Sequence, residues 1–347
     1  MLHLRLMQIL NKILQSHTSK STRQKRMKKI DFFEKYRQDA LSDLKKSSFM
    51  KTMKSYWISQ IKYHFNETKH TSDDLLQLGN QLGSIFKITA KIDEDARNQG
   101  LLSTAGHVFE CLITWYVNLG LIGTNTIAIK FKKDLIPNAI KDALTVTYGN
   151  HGNPSNSESD IVVISFDQIK EEVFASIDPD ILKNDKKFYK QLNELTDIHF
   201  RDIRVNVIQC KTNWNDNAQI PMAWDLIYSA TQFNNDKIQV GIKGRKVNDL
   251  LSFKYSFATV PSQANSKQYT MKSVAVQRVH MLSGHNFWCS ATKRDTDDLS
   301  KVVAYSIGEI FDLNFPSIFD PTKFSQRFED LKGETLFLSD FDLNLDD

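Results

Sequence analysis

The sequence has little of what builds specialised scaffolds. Three cysteines, Cys111, Cys210 and Cys289, are spread over 347 residues. They are odd in number and form no CxxC pair. That excludes a disulfide framework and a zinc ribbon, and makes the reducing cytoplasm the expected compartment. Seven prolines and 13 glycines are too few for collagen-like, low-complexity or linker-rich chains. No run of about 18 apolar residues occurs, so no membrane span is expected. The apolar residues of MLHLRLMQILNKILQ at the start are spaced rather than contiguous, so no secretory signal is expected either. Charge of one sign is missing too. The 45 basic groups face 41 acidic ones, a net +4, which tolerates a polyanionic partner without requiring one.

Motifs of the common enzyme classes are also absent. There is no GxxxxGK[ST] phosphate loop, no GxGxxG, no HExxH helix and no GxSxG elbow. The nine histidines have no ligand-like spacing. His285, in SGHNFW, reads as a loop residue.

What is present is a large apolar complement. Hydrophobic residues make up 41%, with 22 Phe, 10 Tyr and 5 Trp, enough for a sizeable core and too many for a disordered chain. Composition divides the chain into four parts. Residues 1–30 carry eight basic groups and no acid. They read as an amphipathic, weakly ordered extension, or as sequence upstream of a start at Met27, rather than as a nucleic-acid-binding arm. Residues 31–100 have apolar positions at helical spacing. Residues 101–320 form the expected core. Residues 321–347 read as an acidic C-terminal tail, with seven acids and one base from Glu329 onward.

Local patterns give a mixed α/β fold: a helical N-terminal region followed by a mixed sheet flanked by helices. The clearest helix is expected at 103–119, capped by Ser103 or Thr104 and stopped by Gly120. Val108, Cys111, Leu112, Trp115, Tyr116 and Leu119 share one face. β-rich runs follow at 126–131, 143–148, 160–166, 203–210, 237–242, 255–260 and 274–281. Residues 167–199 read as a helical insertion broken at Pro179. Helices are also expected at 221–233 and 298–312.

One constellation carries chemistry. Asp160 stands where a polar loop enters the apolar strand DIVVISF, and alternation puts it on the face of Val162, Ile164 and Phe166. The strand IRVNVIQCK brings Ile203, Val205, Val207, Gln209 and Lys211 to one face. An ammonium at the end of an apolar strand is an odd packing choice, because burying it unpaired is costly. Together the residues suit metal-assisted phosphodiester hydrolysis. Asp160 and the Cys210 carbonyl offer oxygens to a hard cation such as Mg²⁺. Gln209 offers a side-chain oxygen or positions a water, and Lys211 orients the attacking water and stabilises charge on the phosphate. Glu110, on the 103–119 helix, would reach the same end of the sheet.

Asp160, Gln209-Cys210-Lys211 and a helical Glu110 resemble the PD-(D/E)xK nuclease core. The segments QCKTNWNDNAQIPMAWDLIY (209–228) and QRVHMLSGHNFW (277–288) resemble its type II restriction-endonuclease-like members. The resemblance covers roughly residues 100–315. Gln209 replaces the pattern's acid, Ser159 replaces its proline, and Asp160 stands 49 positions before Gln209, with the 167–199 insertion accounting for the excess. The resemblance implies a restriction-endonuclease-like fold and a Mg²⁺-dependent, site-specific DNA endonuclease leaving 5′-phosphates. It also implies a homodimer on double-stranded DNA, with Asp160, Gln209, Lys211 and Glu110 catalytic and Asp160, Glu110 and Cys210 holding metal. Asn213, Trp214 and Asn215 after the strand are expected to contact DNA. Lys243, Arg245 and Lys246 in GIKGRK could clamp phosphate or form an ordinary basic turn. Two alternatives stay open: a non-catalytic DNA-binding module on a decayed nuclease core, and a repair or modification-dependent nuclease.

Overall fold

The computed structural model describes residues 31–44, 57–66, 68–92, 99–130, 134–148, 154–156, 159–211, 238–259, 287–289, 310–315 and 318–331, together with Val279 and Ser283. Four helices come first: α1 (31–44), α2 (Ile58–His64), α3 (Ser72–Ile92) and α4 (Gln99–Gly120). Strand β1 (Thr126–Lys130) leads to α5 (Asn138–Leu144), β2 (Thr145–Tyr148), β3 (Ser155–Asn156) and β4 (Ile161–Ser165). Helices α6 (Glu171–Ala175) and α7 (Asp185–Ile198) precede β5 (Arg204–Lys211). Next come β6 (Ile238–Val240), β7 (Ser252–Thr259), β8 (Phe287–Cys289), α8 (Ile310–Asn314) and α9 (Pro321–Leu331).

The principal sheet runs in the order β1-β4-β5-β7-β8. The pairs β1–β4 and β4–β5 are antiparallel, and β5–β7 and β7–β8 are parallel. Strands β2, β3 and β6 form a smaller antiparallel sheet. Every residue of β4 is buried, as expected of a β-branched run covered on both faces. Alternation sorts the faces. Ala128, Ile161, Val163, Ile208 and Ala258 pack with α2, α3, α4 and α9. Ile129, Val162, Ile164, Val207, Tyr255 and Phe257 pack with α1, α5 and α7 on the other side. The expected alternation of Asp160 with Val162 and Ile164 therefore describes the second face.

Helix α4 buries the apolar face read from the sequence. It begins at Gln99, four residues before Ser103, so the helix start read from Ser103 or Thr104 comes too late; Leu101, Leu102 and Ala105 around them are good helix formers that carry the helix back by a turn. The expected strand at 143–148 begins two residues later, because Ala143 and Leu144 close α5 and are buried there. The 167–199 insertion is helical. Pro179 opens a short 3-10 turn, with the Asp178 carboxylate accepting from Asp180 N. Asn184 then caps α7 by accepting from Lys187 N at 3.0 Å. The expected helix at 221–233, most of 298–312 and, apart from Val279, the strand at 274–281 lie outside the described residues. The basic segment 1–30 does as well.

Two expectations about organisation need correction. The boundary drawn at residue 100 is not a boundary of packing, because the described residues of 31–86 share the core clusters of the sheet. Phe32 and Phe33 of α1 pack against Phe174 of α6, and Phe32 also meets Phe188 of α7. The fully buried Arg37 donates to Glu34 Oε1, Asn118 Oδ1 and the carbonyls of Thr126 and Thr124. It thereby ties α1 to the turn between α4 and β1. The acidic tail also begins later than residue 321. Pro321–Leu331 is a helix whose first turn is capped by Asp320, which accepts from Thr322 N at 3.0 Å. Its Phe324 and Phe328 are fully buried against Phe65, so counting acids hid an amphipathic stripe.

Candidate active site

The site forms where β4 stops short of β5. The last antiparallel pair is Ile161 with Ile208. Gln209, Cys210 and Lys211 extend beyond it, paired on their other side with Phe257, Ala258 and Thr259 of β7. Asp160 fills the place a further ladder residue would take. Its Oδ2 accepts from Cys210 N and from Gln209 Nε2, each at 2.7 Å. Gln209 Oε1 in turn accepts from the Tyr255 hydroxyl at 3.0 Å. Gln209 and Tyr255 are both buried, so this chain of three side chains is fixed by packing.

Burial dominates the electrostatics. It pushes the Asp160 carboxyl up to about 7, opposed mainly by the Lys211 charge. Glu110 pushes it further up, whereas the Cys210 N–H and Lys130 pull it down. The Tyr255 phenol is raised by its own burial and by Asp160, which keeps it a donor. Burial likewise raises the Cys210 thiol, with Asp160 and Glu110 adding to it. Cys210 therefore offers backbone rather than thiolate chemistry.

Glu110 reaches this end of the sheet from α4. Its Oε2 lies 3.0 Å from Lys130 Nζ at the end of β1. Lys130 also meets His107 Nδ1 at 2.7 Å. Burial and then the Lys130 charge lower the His107 pKa, so its ring is neutral and accepts from the ammonium. Lys211 is half-buried. Its Nζ makes no hydrogen bond or ion pair with any described residue.

The chain matches no protein-family model and no curated protein.

Asp160, Gln209, Cys210, Lys211 and Glu110 stand at one end of the sheet. Among the described residues, no group of three or more His, Cys, Asp and Glu side chains is placed to hold a metal ion. Gln209 does not offer its side-chain oxygen, because that oxygen takes the Tyr255 hydroxyl while the amide nitrogen faces Asp160. The basic turn lies elsewhere. Lys243 reaches Asp142 at 3.2 Å, and Arg245 reaches Asp197 at 2.6 Å and covers Phe200. Phe200 precedes the start of β5, whereas Lys211 ends that strand, which alone spans roughly 23 Å at about 3.3 Å per residue. Lys246 is exposed. Asn213, Trp214 and Asn215 lie outside the described residues.

Lys130 and Tyr255 were not singled out from the sequence. Lys130 ends the apolar strand TIAIK as Lys211 ends its own, so the same argument about a lysine on an apolar strand applied to it. Tyr255 had no local signal, because its meeting with Gln209 depends on parallel pairing across 46 positions. No helix among the described residues is long and apolar enough to cross a membrane.

Proposed function

We propose that the chain is a Mg²⁺-dependent DNA endonuclease of the PD-(D/E)xK type. In its finer form it would be a cytoplasmic type II restriction enzyme acting as a homodimer on double-stranded DNA. The observation that carries this reading is the junction of Asp160 with Gln209-Cys210-Lys211. A carboxylate is held against the end of a central strand by that strand's own N–H, and it feels the charge of Lys211, which has no partner among the described residues. The topology supports it: a helix bearing Glu110, three antiparallel strands and a fourth strand parallel to the third.

The donors suit a hard cation. Both described donors to Asp160 reach Oδ2, so Oδ1 has no described partner. The N–H and C=O of one strand residue face the same edge, which turns the Cys210 carbonyl toward Asp160 as well. Glu110 adds a second carboxylate once it exchanges Lys130 for the metal. The buried Thr259 hydroxyl, level with Lys211 on the neighbouring strand, has no hydrogen-bond partner among the described residues. Two carboxylates and a carbonyl are enough for Mg²⁺, which keeps several waters.

Bound there, Mg²⁺ would supply an acidified water and a polarised phosphoryl oxygen. The chain's own residues do the rest. Gln209, held by Tyr255, fixes the angle of the Asp160 carboxylate. Lys211 positions the attacking water and stabilises charge growing on the phosphate. Glu110 closes the site from the helix side.

The occupied amide of Gln209 favours a second reading, a DNA-binding module on a nuclease core that has lost its metal. Plasmid DNA incubated with Mg²⁺ or EDTA separates the two. The nuclease reading expects Mg²⁺-dependent fragments, lost in Lys211→Ala while the variant stays folded. Metal-independent, salt-sensitive DNA binding without cleavage would replace it with the second reading. Cleavage by Lys211→Ala at the wild-type rate would refute the assigned site.

A further inference from the structure

At the end of the sheet away from Asp160, the face beneath α4 changes character. Ile161, Ile208 and Ala258 give way on the same alternation to Ser165, Arg204, Asn206, Ser252 and Lys254. A cavity of about 80 Å³, partly open to solvent, lies over this polar strip and is bounded also by Asn314, Phe315 and Ile318. A single water needs roughly 10–15 Å³ by the same measure, so the space holds a small group of atoms.

Ser165 Oγ and Arg204 Nε are spent on the Asp167 carboxylate and Asn206 Nδ2 on Asn314, but other donors around the cavity have no described partner. Asn314 is only 7% exposed. Its Oδ1 accepts from Asn206 Nδ2 at 3.2 Å and from Ser256 Oγ at 2.9 Å, but its Nδ2 has no partner among the described residues. A buried donor left unmet costs about 1–3 kcal/mol, which marks a place where an acceptor belongs. Lys254, also at the wall, has no ion pair with any described residue. Arg204 is held at the rim through Nε, 3.3 Å from both Asp167 oxygens. Its terminal nitrogens have no described partner. No described acidic side chain lines the cavity.

We propose that this cavity is a binding site for a small oxyanion of the phosphate class, held by Asn314 Nδ2, Lys254 and Arg204. It is separate from the candidate active site. Arg204 and Lys211 are the two ends of β5, roughly 23 Å apart at about 3.3 Å per residue. It also stands whether or not the nuclease reading holds.

The test uses the full chain and inorganic phosphate, with sulfate in parallel, at constant ionic strength. Calorimetry gives the affinity, and thermal unfolding gives the stabilisation that follows from binding the folded state. Saturable phosphate binding that raises Tm is expected. Lys254 is only partly buried, so Lys254→Gln should leave the fold intact and weaken binding at least about tenfold. Asn314→Asp keeps the shape and the acceptor but puts negative charge where the free donor stands, and should abolish binding. Failure of the wild type to bind either anion overturns the proposal. So does equal affinity in the wild type and Lys254→Gln.

Discussion

Asp160 makes the fold sensitive to pH in a way that one isosteric change should remove. Its carboxyl titrates at about 7 in the folded chain, against 3.8 for an ordinary aspartate. A raised pKa means the folded state holds the proton more tightly. The stabilisation it brings is complete below about pH 4 and is lost as pH rises through 7. The shift is about three units at about 1.4 kcal/mol each, some 4 kcal/mol in full. Between about pH 5 and about pH 8 the group accounts for roughly 2.7 kcal/mol of that. Asp160 keeps some contact with solvent, so about 2 kcal/mol is the expected effect. Asp160→Asn retains an oxygen for Cys210 N and Gln209 Nε2 and sets its NH₂ where Oδ1 has no described donor. Urea unfolding of both proteins in EDTA at the two pH values isolates the effect, because the other titrating groups cancel in the difference. The variant should gain about 2 kcal/mol on the wild type from the lower pH to the higher. Parallel pH profiles would refute the reasoning. Under the proposed function, added Mg²⁺ should restore stability to the wild type at the higher pH and leave Asp160→Asn unchanged.

Three further outcomes are expected from chemical denaturation. Arg37→Met should cost about 3–5 kcal/mol, because it leaves the buried Glu34 carboxylate without its counter-ion; adding Glu34→Gln should recover part of the loss. Tyr255→Phe should cost about 1–3 kcal/mol, the penalty for leaving Gln209 Oε1 buried without a donor. Two glycines of α4 should respond oppositely to alanine. A Cβ at Gly120 would run into the Phe311 ring and should cost about 1–3 kcal/mol. Gly106 faces open space, so alanine there should stabilise by about 0.5–1 kcal/mol.

Much of the sheet was legible because its strands are short, apolar and bounded by polar loops. The starts of β4 and β5 were read to within a residue, and with them the shared position of Asp160, Gln209 and Lys211. Helix α4 was legible from its apolar stripe, although its first turn was not. What escaped depends on distant pairing. The stripe of α9 reads as a helix face only once Phe65 is known to meet it. Lys130 and Lys211 end strands 81 positions apart, and both charges are felt at Asp160 because β4 lies between β1 and β5. The orientation of the Gln209 amide was hidden for the same reason. A local pattern says that a glutamine points at a carboxylate's face; only the neighbouring parallel strand says which of its ends does.

The bond from Cys210 N to Asp160 gives one carboxylate two duties. It stands in for a missing ladder acceptor, so the end of β5 depends on an oxygen there whatever reaction the molecule performs. Alanine at 160 would fray that strand end and mimic a catalytic defect. A lineage that abandoned chemistry would still be held to Asp or Asn at this position, since either supplies the oxygen at the right reach. Drift at 160 would therefore record loss of the negative charge long before it recorded loss of the side chain's shape.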